Sequence, residues 1–437
     1  MSETSSTAAP APASTEPPRH RAGTAAAVFS IFAFSYFISA LVRGATATLA
    51  PHFTAELGLT AGDLGLLGGA FFLGFASTQL PLGSALDRVG PKRVQLGFLA
   101  VAVLGSAAFA LARDFASLAA ARALIGVGVS ACLMAPLTTF RRSFDTVAQL
   151  RANSWMLMSG SVGMVASTLP VQWLLPLIGW RGLFWGIAAW MLLSMLAIAR
   201  FVPADASSPA AEPSSAPAPR EGPRHAAGYA GIWRHPTFVR FAPMGFFHYG
   251  GLIAVQSLWA GPWLVEVCGW TAAQAARGLF AVNLAMLASF LVWGSVVPRL
   301  DANGWTAQRL IARGAPISLA ALALAIALGA NAGAWVWALF CAGCSVVSLS
   351  QPAVGLAFPA RLAGRALSAY NLVIFLGAFS IQWGIGLAID ALRAQGWSTV
   401  AAYRGGFSLL LGCCVVAYVW FLRRREAATG AEIDRAA

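Results

Sequence analysis

The sequence predicts an all-α polytopic membrane protein with twelve transmembrane helices, arranged as two pseudo-symmetric bundles of six. Three observations carry this prediction: an apolar composition, twelve apolar segments and a polar stretch midway along the chain. Of the 437 residues, 58% are hydrophobic and only 10% are charged, and the mean hydropathy is +0.70. In soluble proteins charged residues make up about a quarter of the chain. The composition therefore matches a lipid bilayer rather than water.

The twelve apolar segments are each close to the length of about 20 residues that crosses a bilayer as a helix. They are residues 25–50, 64–86, 94–112, 117–140, 153–176, 182–201, 240–263, 278–297, 309–329, 334–357, 367–389 and 405–422. The stretch between the two sets of six is rich in Pro, Ala and Ser, as in disordered linkers. The predicted domains are a disordered tail, a first bundle, a linker, a second bundle and a second tail: 1–22, 23–201, 202–239, 240–423 and 424–437.

The distribution of Lys and Arg predicts the orientation of the chain. Of these 29 residues, 22 lie in the two tails, the linker and the loops on the same side, and only 5 lie in the loops on the opposite side. Cytoplasmic loops carry the excess of positive charge. We therefore expect both termini and the linker to be cytoplasmic, in a bacterial inner membrane. The side that holds the N-terminal end of the first segment is called the inner side below, and the opposite side the outer side.

Arg43 is the most informative single residue, because it lies inside the first apolar segment. A charged side chain at the bilayer centre costs at least about 2.5 kcal/mol, so it is expected to face protein or a water-filled cavity. Tyr36, Ser39 and Arg43 recur at spacings of three and four residues and share one helix face. The pattern predicts a cavity in which the guanidinium binds an anionic group of a substrate.

Polar residues on two later segments complete the predicted substrate site. Each of them is also typical of contacts between membrane helices, so both interpretations stay open. His248 is the only side chain of the apolar segments that titrates near neutral pH, which makes it a candidate for a coupling proton or for a neutral buried histidine. The other substrate candidates are Tyr249, Gln256 and Trp259 on the seventh segment and Asn371 and Gln382 on the eleventh.

The loop after the second segment reads GSALDRVGPKR from residue 83 to residue 93. Gly83 permits a close approach of helices and Gly90 a tight turn. Asp87 is placed to accept hydrogen bonds from the N-terminus of a facing helix or to pair with an arginine. The segment resembles the loop 2–3 signature of the major facilitator superfamily. The resemblance implies a latch between the bundles on the cytoplasmic side, formed by Gly83, Asp87, Arg88, Gly90 and Arg93; a basic loop that only sets the topology is the alternative.

Two further patterns resemble the same superfamily. Gly294-Ser295-x-x-Pro298-Arg299 repeats Gly83-Ser84-x-x-Asp87-Arg88 in the second half, with a proline in place of the acid. Two halves related in this way are what the superfamily fold requires, with the substrate site near the membrane midplane between them. Arg122 opens an R-x-x-x-G-x-G pattern on the fourth segment. In relatives this arginine implies either helix packing or proton movement, and both remain open.

The resemblance implies secondary active transport of a small organic solute by alternating access. The preferred substrate is an organic anion, the alternative function is an efflux carrier for a drug, siderophore or other metabolite, and a remote alternative is a non-transporting membrane receptor. We expect a monomer in the lipid bilayer that binds a small molecule, with proton coupling left open. The sequence contains no catalytic triad, metal-ligand set or ATP-binding loop. We therefore expect no enzymatic activity, cofactor, metal or nucleic-acid partner.

Overall fold

The computed structural model describes residues 22–144, 146–203 and 224–424, and these residues form helices without strands. The helices of the first half are α1 (Ala22–Leu57), α2 (Ala61–Ser77), α3 (Gln79–Arg88), α4 (Pro91–Leu111), α5 (Phe115–Val129), α6 (Ala131–Ser143), α7 (Thr146–Ala166) and α8 (Leu169–Phe201). Those that follow are α9 (Arg224–Arg234), α10 (Pro236–Val267), α11 (Ala272–Ala302), α12 (Ala307–Leu328), α13 (Ala334–Leu356), α14 (Ala360–Ala394) and α15 (Thr399–Arg423).

The described helices are consistent with the twelve predicted membrane spans and provide candidates for eleven of them. Ten described spans, with α5 and α6 counted as one, are long and apolar enough to cross a bilayer, and the pair α2 and α3, bent by 42°, forms an eleventh candidate span. The fifth predicted segment begins in α7 and continues into α8. Gly179 has φ 65° and ψ 173°, which are not helical angles, and it divides α8 into two helices. The turn between the fifth and sixth segments therefore lies at this glycine.

The end of the predicted linker is helical. The tail before residue 22, residues 204–223 of the linker and the tail after residue 424 lie outside the described residues. The prediction of disorder is wrong for α9, which has an apolar side that packs on the second half. Ile232 is buried, and the Trp233 ring lies edge-on to Phe238 with 5.0 Å between their centroids. Burial of this apolar surface offsets the entropy lost when the segment is ordered.

Glycines bring the helix backbones of the first half into direct contact. A Cβ atom added at Gly126 on α5 would lie 2.0 Å from the backbone oxygen of Phe71 on α2. On the same helix, a Cβ at Gly128 would lie 2.2 Å from the backbone nitrogen of Ala102 on α4. Small residues permit such contacts between membrane helices. The R-x-x-x-G-x-G pattern therefore holds α5 against two neighbours at once.

The two halves meet on the outer side, where α2 lies against α14. A Cβ at Gly65 would be 2.4 Å from the backbone oxygen of Gln382, and a Cβ at Gly386 would be 2.3 Å from that of Ala61. Helix α10 approaches α1 in the same way through Gly261, whose added Cβ would be 2.4 Å from a backbone oxygen of α1. These contacts close the outer side and leave a cavity beneath them.

Candidate functional site

A cavity of about 820 Å³ lies between the two halves. Residues of α1, α2 and α7 line it on one side, and residues of α10, α11 and α14 line it on the other. It extends to Gln79, Gly294 and Gln351, which lie toward the ends of their helices that are predicted to be cytoplasmic. Because the helices touch on the outer side, the cavity faces the inner side.

Arg43 lines this cavity as predicted from its position in the first segment. Its side chain is half-buried, and Tyr36 and Ser39 lie on the same wall. Among the described residues, Arg43 is the only Lys, Arg, Asp, Glu or His in the lining. None of the described side chains forms an ion pair or a hydrogen bond with it. The guanidinium therefore keeps its hydrogen-bond donors available to a group inside the cavity.

Amide side chains from the second half form two hydrogen-bonded pairs on the opposite wall. The Gln256 amide donates to the Asn283 side-chain oxygen at 2.9 Å, and the Gln351 amide donates to that of Asn371 at 2.7 Å. Tyr249 lies on the same wall. The structure thus brings together six of the predicted substrate residues: Arg43, Tyr36, Ser39, Tyr249, Gln256 and Asn371. Gln351 was not among the sequence candidates, although a Gln-Pro pair inside an apolar segment is a signal that could have identified it.

Aromatic rings add an apolar wall to the cavity. The Phe75 and Phe375 rings, from opposite halves, are 4.4 Å apart between centroids, and both residues line the cavity. Phe290 and Trp155 also belong to the lining. A solute in this space therefore meets one positive charge, several neutral hydrogen-bonding groups and a large apolar surface.

Trp259 and Gln382 do not line the cavity. The Trp259 indole is buried and donates to the backbone oxygen of Gln382 at 3.0 Å. The Gln382 amide donates to the hydroxyl of Ser257 at 2.9 Å, and its side chain lies against Gly68 of α2. Both side chains occupy packed positions between helices on the outer side of the cavity.

Arg122 is fully buried and binds the first helix of its own half. Its guanidinium donates to the backbone oxygen of Val42 at 3.0 Å and to the hydroxyl of Thr46, and it lies 4.9 Å from the centroid of the Phe71 ring. The residue does not line the cavity. This geometry fixes α1, and with it Arg43, relative to α5.

His248, the other coupling candidate, lies outside the cavity lining and is 1% exposed. Among the described residues, neither of its ring nitrogens has a hydrogen-bond partner. It belongs to Met244–Tyr249, one of three π-helical turns in α10. Such turns occur frequently at functional sites.

The predicted latch lies at the inner end of the first half. Asp87 and Arg88 are exposed on the last turn of α3, and Gly90, with φ 94°, makes the turn that precedes α4. The Lys92 amine donates to the backbone oxygens of Ala199 and Val202, at 2.9 and 2.6 Å, which caps the end of α8. The loop is thus anchored to its own half.

The expectation that Gly83 brings two helices close together is wrong for this structure. A Cβ atom added there would have no other atom within 4 Å, and the same holds for its repeat counterpart, Gly294. Neither glycine therefore faces a neighbouring backbone at close range. Arg93 is exposed on the first turn of α4.

Two bundles of membrane helices with a cavity between them define a multi-pass membrane carrier. The family model described as the Major Facilitator Superfamily matches residues 32–382. The chain belongs to this superfamily and is a transporter of that class. Its fold is similar to that of a bacterial homologue of the human lysosomal transporter Spinster, in an inward-facing and unoccupied conformation, with a TM-score of 0.69 and 17% identity over 93% of this chain and 100% of that one. It is also similar to a D-xylose–proton symporter, with a TM-score of 0.68 and 16% identity over 92% and 97%.

Two curated relatives have names that state a function. A chloramphenicol resistance protein from Streptomyces lividans is 31% identical over 166 residues, which are 38% of this chain and 42% of that protein. A multidrug resistance protein, MdtL, from Escherichia coli O45:K1 is 27% identical over 154 residues, 35% of this chain and 39% of the relative. The matched region spans less than half the length of either relative.

Proposed function

We propose that the protein carries a small organic anion with one negative charge and an apolar body across the inner membrane by alternating access. The observation that supports the proposal most directly is the Arg43 guanidinium, which lines the cavity without a described partner. A guanidinium binds a carboxylate through two parallel hydrogen bonds. The Arg43 guanidinium would repel a cationic solute, and the described lining contains no acid that could offset this repulsion.

The lining also limits the number of charges on the solute. A second anionic group would lack a second cation among the described lining residues. The aromatic rings of Phe75 and Phe375 and the paired amides, by contrast, fit a neutral body with apolar surface. A monocarboxylate or another amphipathic monoanion therefore matches the cavity better than a dicarboxylate or a phosphate.

Efflux of a drug or another metabolite is the second candidate. The names of the chloramphenicol resistance protein and of MdtL favour it. The large aromatic surface of the cavity also fits an uncharged drug. In that case Arg43 would donate a hydrogen bond to a neutral acceptor group of the drug. A requirement for negative charge on the solute separates the two candidates.

Reconstituted uptake tests the requirement for charge. Purified protein in proteoliposomes is expected to transport at least one amphipathic monocarboxylate from a panel, and to transport its amide and its cationic amine analogue at least about tenfold more slowly, because only the carboxylate forms the two charge-assisted bonds to Arg43. Liposomes without protein correct for passive diffusion. Equal transport of the acid and the amide would contradict the anion proposal and favour the carrier of neutral drugs.

The arginine asymmetry supports the orientation proposed for the chain, with both termini and the linker in the cytoplasm. In this orientation the cavity is open to the cytoplasm. The inner side then closes when the inner ends of the two halves approach more closely, and Asp87 is the group proposed to latch them. His248 and Arg122 remain the proposed candidates for proton coupling, and either one would act from outside the cavity lining.

Asp87→Asn is expected to reduce transport by about tenfold while the protein stays folded, because the neutral amide weakens the charged hydrogen bonds proposed for the inner-closed state. Pro298→Asp, at the equivalent position of the second half, is the matched control. It is expected to change transport by less than about twofold, because the second half already functions without an acid at this position. Transport and thermal stability are measured on the same preparations. Parent-like transport by Asp87→Asn would remove the latch role.

A further inference from the structure

The Tyr36 ring of α1 packs directly on the backbone of α7 at Gly160, and both residues line the central cavity. A Cβ atom added at Gly160 would lie 2.3 Å from Cε1 and 2.8 Å from Cζ of the ring. Ordinary contact between carbon atoms needs about 3.5 Å. The ring therefore occupies space that a side chain at position 160 would otherwise fill.

The position of the ring depends on this packing. Tyr36 is half-buried, and its hydroxyl forms no hydrogen bond with the described residues. A methyl group at position 160 would push the ring away from α7 by about 1 Å, until ordinary contact distances are restored. The open space beside the ring is the cavity that it lines. The absence of a side chain at Gly160 thus keeps the cavity wider beside Tyr36.

Tyr36 lies between Arg43 and the inner opening of the cavity. The two residues are seven positions apart on one face of α1, which places the ring about 10 Å nearer the inner side. Tyr249, from the second half, also lines the cavity and lies close enough to both residues for electrostatic interaction. Two aromatic side chains from opposite halves therefore border the route from the inner side to the guanidinium.

We propose that Gly160 determines the bulk of the solute that reaches Arg43. With glycine at this position, the Tyr36 ring stays against α7 and leaves room for a solute whose body carries a ring or a branch. With alanine, the displaced ring narrows the passage, and slim solutes are favoured over bulky ones. The role of Arg43 as the destination rests on the function proposed above, whereas the width of the passage does not.

Thiol labelling measures this width without a transported solute. A cysteine replaces Ser39, which lines the cavity and lies about one helical turn farther from the inner side than Tyr36. The purified full-length protein is treated with methyl methanethiosulfonate and, separately, with the bulkier benzyl methanethiosulfonate. The ratio of the two labelling rates, benzyl over methyl, cancels differences in thiol reactivity between variants. The chain without the introduced cysteine supplies the background from the native thiols.

The ratio is expected to fall about fivefold in Gly160→Ala, because the displaced ring obstructs the larger reagent more than the smaller one. Gly294→Ala is the matched control, since a Cβ atom there also lies in the cavity lining but meets no other atom within 4 Å. It is expected to change the ratio by less than about twofold. Tyr36→Ala is expected to raise the ratio about fivefold and, in the double variant, to remove the effect of Gly160→Ala, because the methyl group then has no ring to displace.

Thermal unfolding is measured for each variant, and Tyr36→Ala tests the inference by itself if Gly160→Ala does not fold. A parent-like ratio in Tyr36→Ala or in folded Gly160→Ala would overturn the proposal. So would a fall of the same size when Gly160→Ala is combined with Tyr36→Ala, because the methyl group would then act without the ring. Since no anion takes part, these outcomes are independent of the charge requirement that uptake tests.

Discussion

Arg43→Ala is expected to abolish binding of the transported anion and leave a folded protein. The side chain lines the cavity, so its removal breaks no ion pair or hydrogen bond of the described structure. The loss of hydrogen bonds from a charged donor is expected to cost about 3 kcal/mol, which is more than a hundredfold in the dissociation constant. Binding of the monocarboxylate identified by uptake, measured on purified protein by calorimetry, checks this result.

Arg43→Lys separates the charge from the geometry of the guanidinium. The ammonium keeps the positive charge but not the planar pair of donors, so binding is expected to weaken about tenfold rather than to disappear. Arg277→Ala is the matched control, because Arg277 is an exposed arginine outside the cavity lining. Thermal unfolding of all three variants is measured alongside. Intact binding in a stable Arg43→Ala protein would refute the assignment of the anion site.

The sequence predicts which helix faces are polar, and the structure decides at what depth those faces meet a cavity. Asn371 and Gln382 lie on one face of α14, as their spacing indicates. Only Asn371 reaches the cavity, because farther out the same face is covered by Gly65 and Gly68 of α2. The contact between the halves cannot be predicted from the periodicity of either helix alone. The closed outer side is therefore a property that only the assembled bundle reveals.

The misplacement of Trp259 has a different physical reason. In a regular α-helix of 3.6 residues per turn, Gln256 and Trp259 would lie on neighbouring turns of one face. Helix α10 instead contains the π-helical turn Val255–Trp259. In a π-helical turn the hydrogen bonds span five residues instead of four, which rotates the residues that follow. Trp259 consequently points into the packed interior, near Tyr403, whereas Gln256 lines the cavity. The apolar periodicity of the segment does not signal the extra residue in this turn.

Asp390 illustrates a contact between the halves that a search for charges inside the membrane overlooks. The residue lies at the end of its segment, where a charged side chain is usually explained by contact with water. Its interest comes from its contact with Ala61 and Gly62, more than 300 residues earlier in the chain. By contrast, Gly126 and Gly128 are part of a recognisable pattern, and their role in close packing follows from the pattern itself.

Gly126→Ala is expected to destabilise the first half by about 3 kcal/mol, as overpacking of a tight contact does. The added methyl group would lie 2.0 Å from the backbone oxygen of Phe71, which is fixed within α2 and cannot rotate away. Gly97→Ala on α4 is the matched control, because a Cβ atom there has no other atom within 4 Å. That change is expected to stabilise the helix by about 0.5–1 kcal/mol through helix propensity alone.

Both glycines lie inside helices, so their substitutions share the propensity gain and differ only in the contact. The midpoint of thermal unfolding in detergent and the yield of folded protein are measured for both variants. We expect a lower midpoint and a lower yield for Gly126→Ala, and parent-like or higher values for Gly97→Ala. Equal effects of the two substitutions would show that α2 and α5 do not approach as closely as the backbone contact between Gly126 and Phe71 requires.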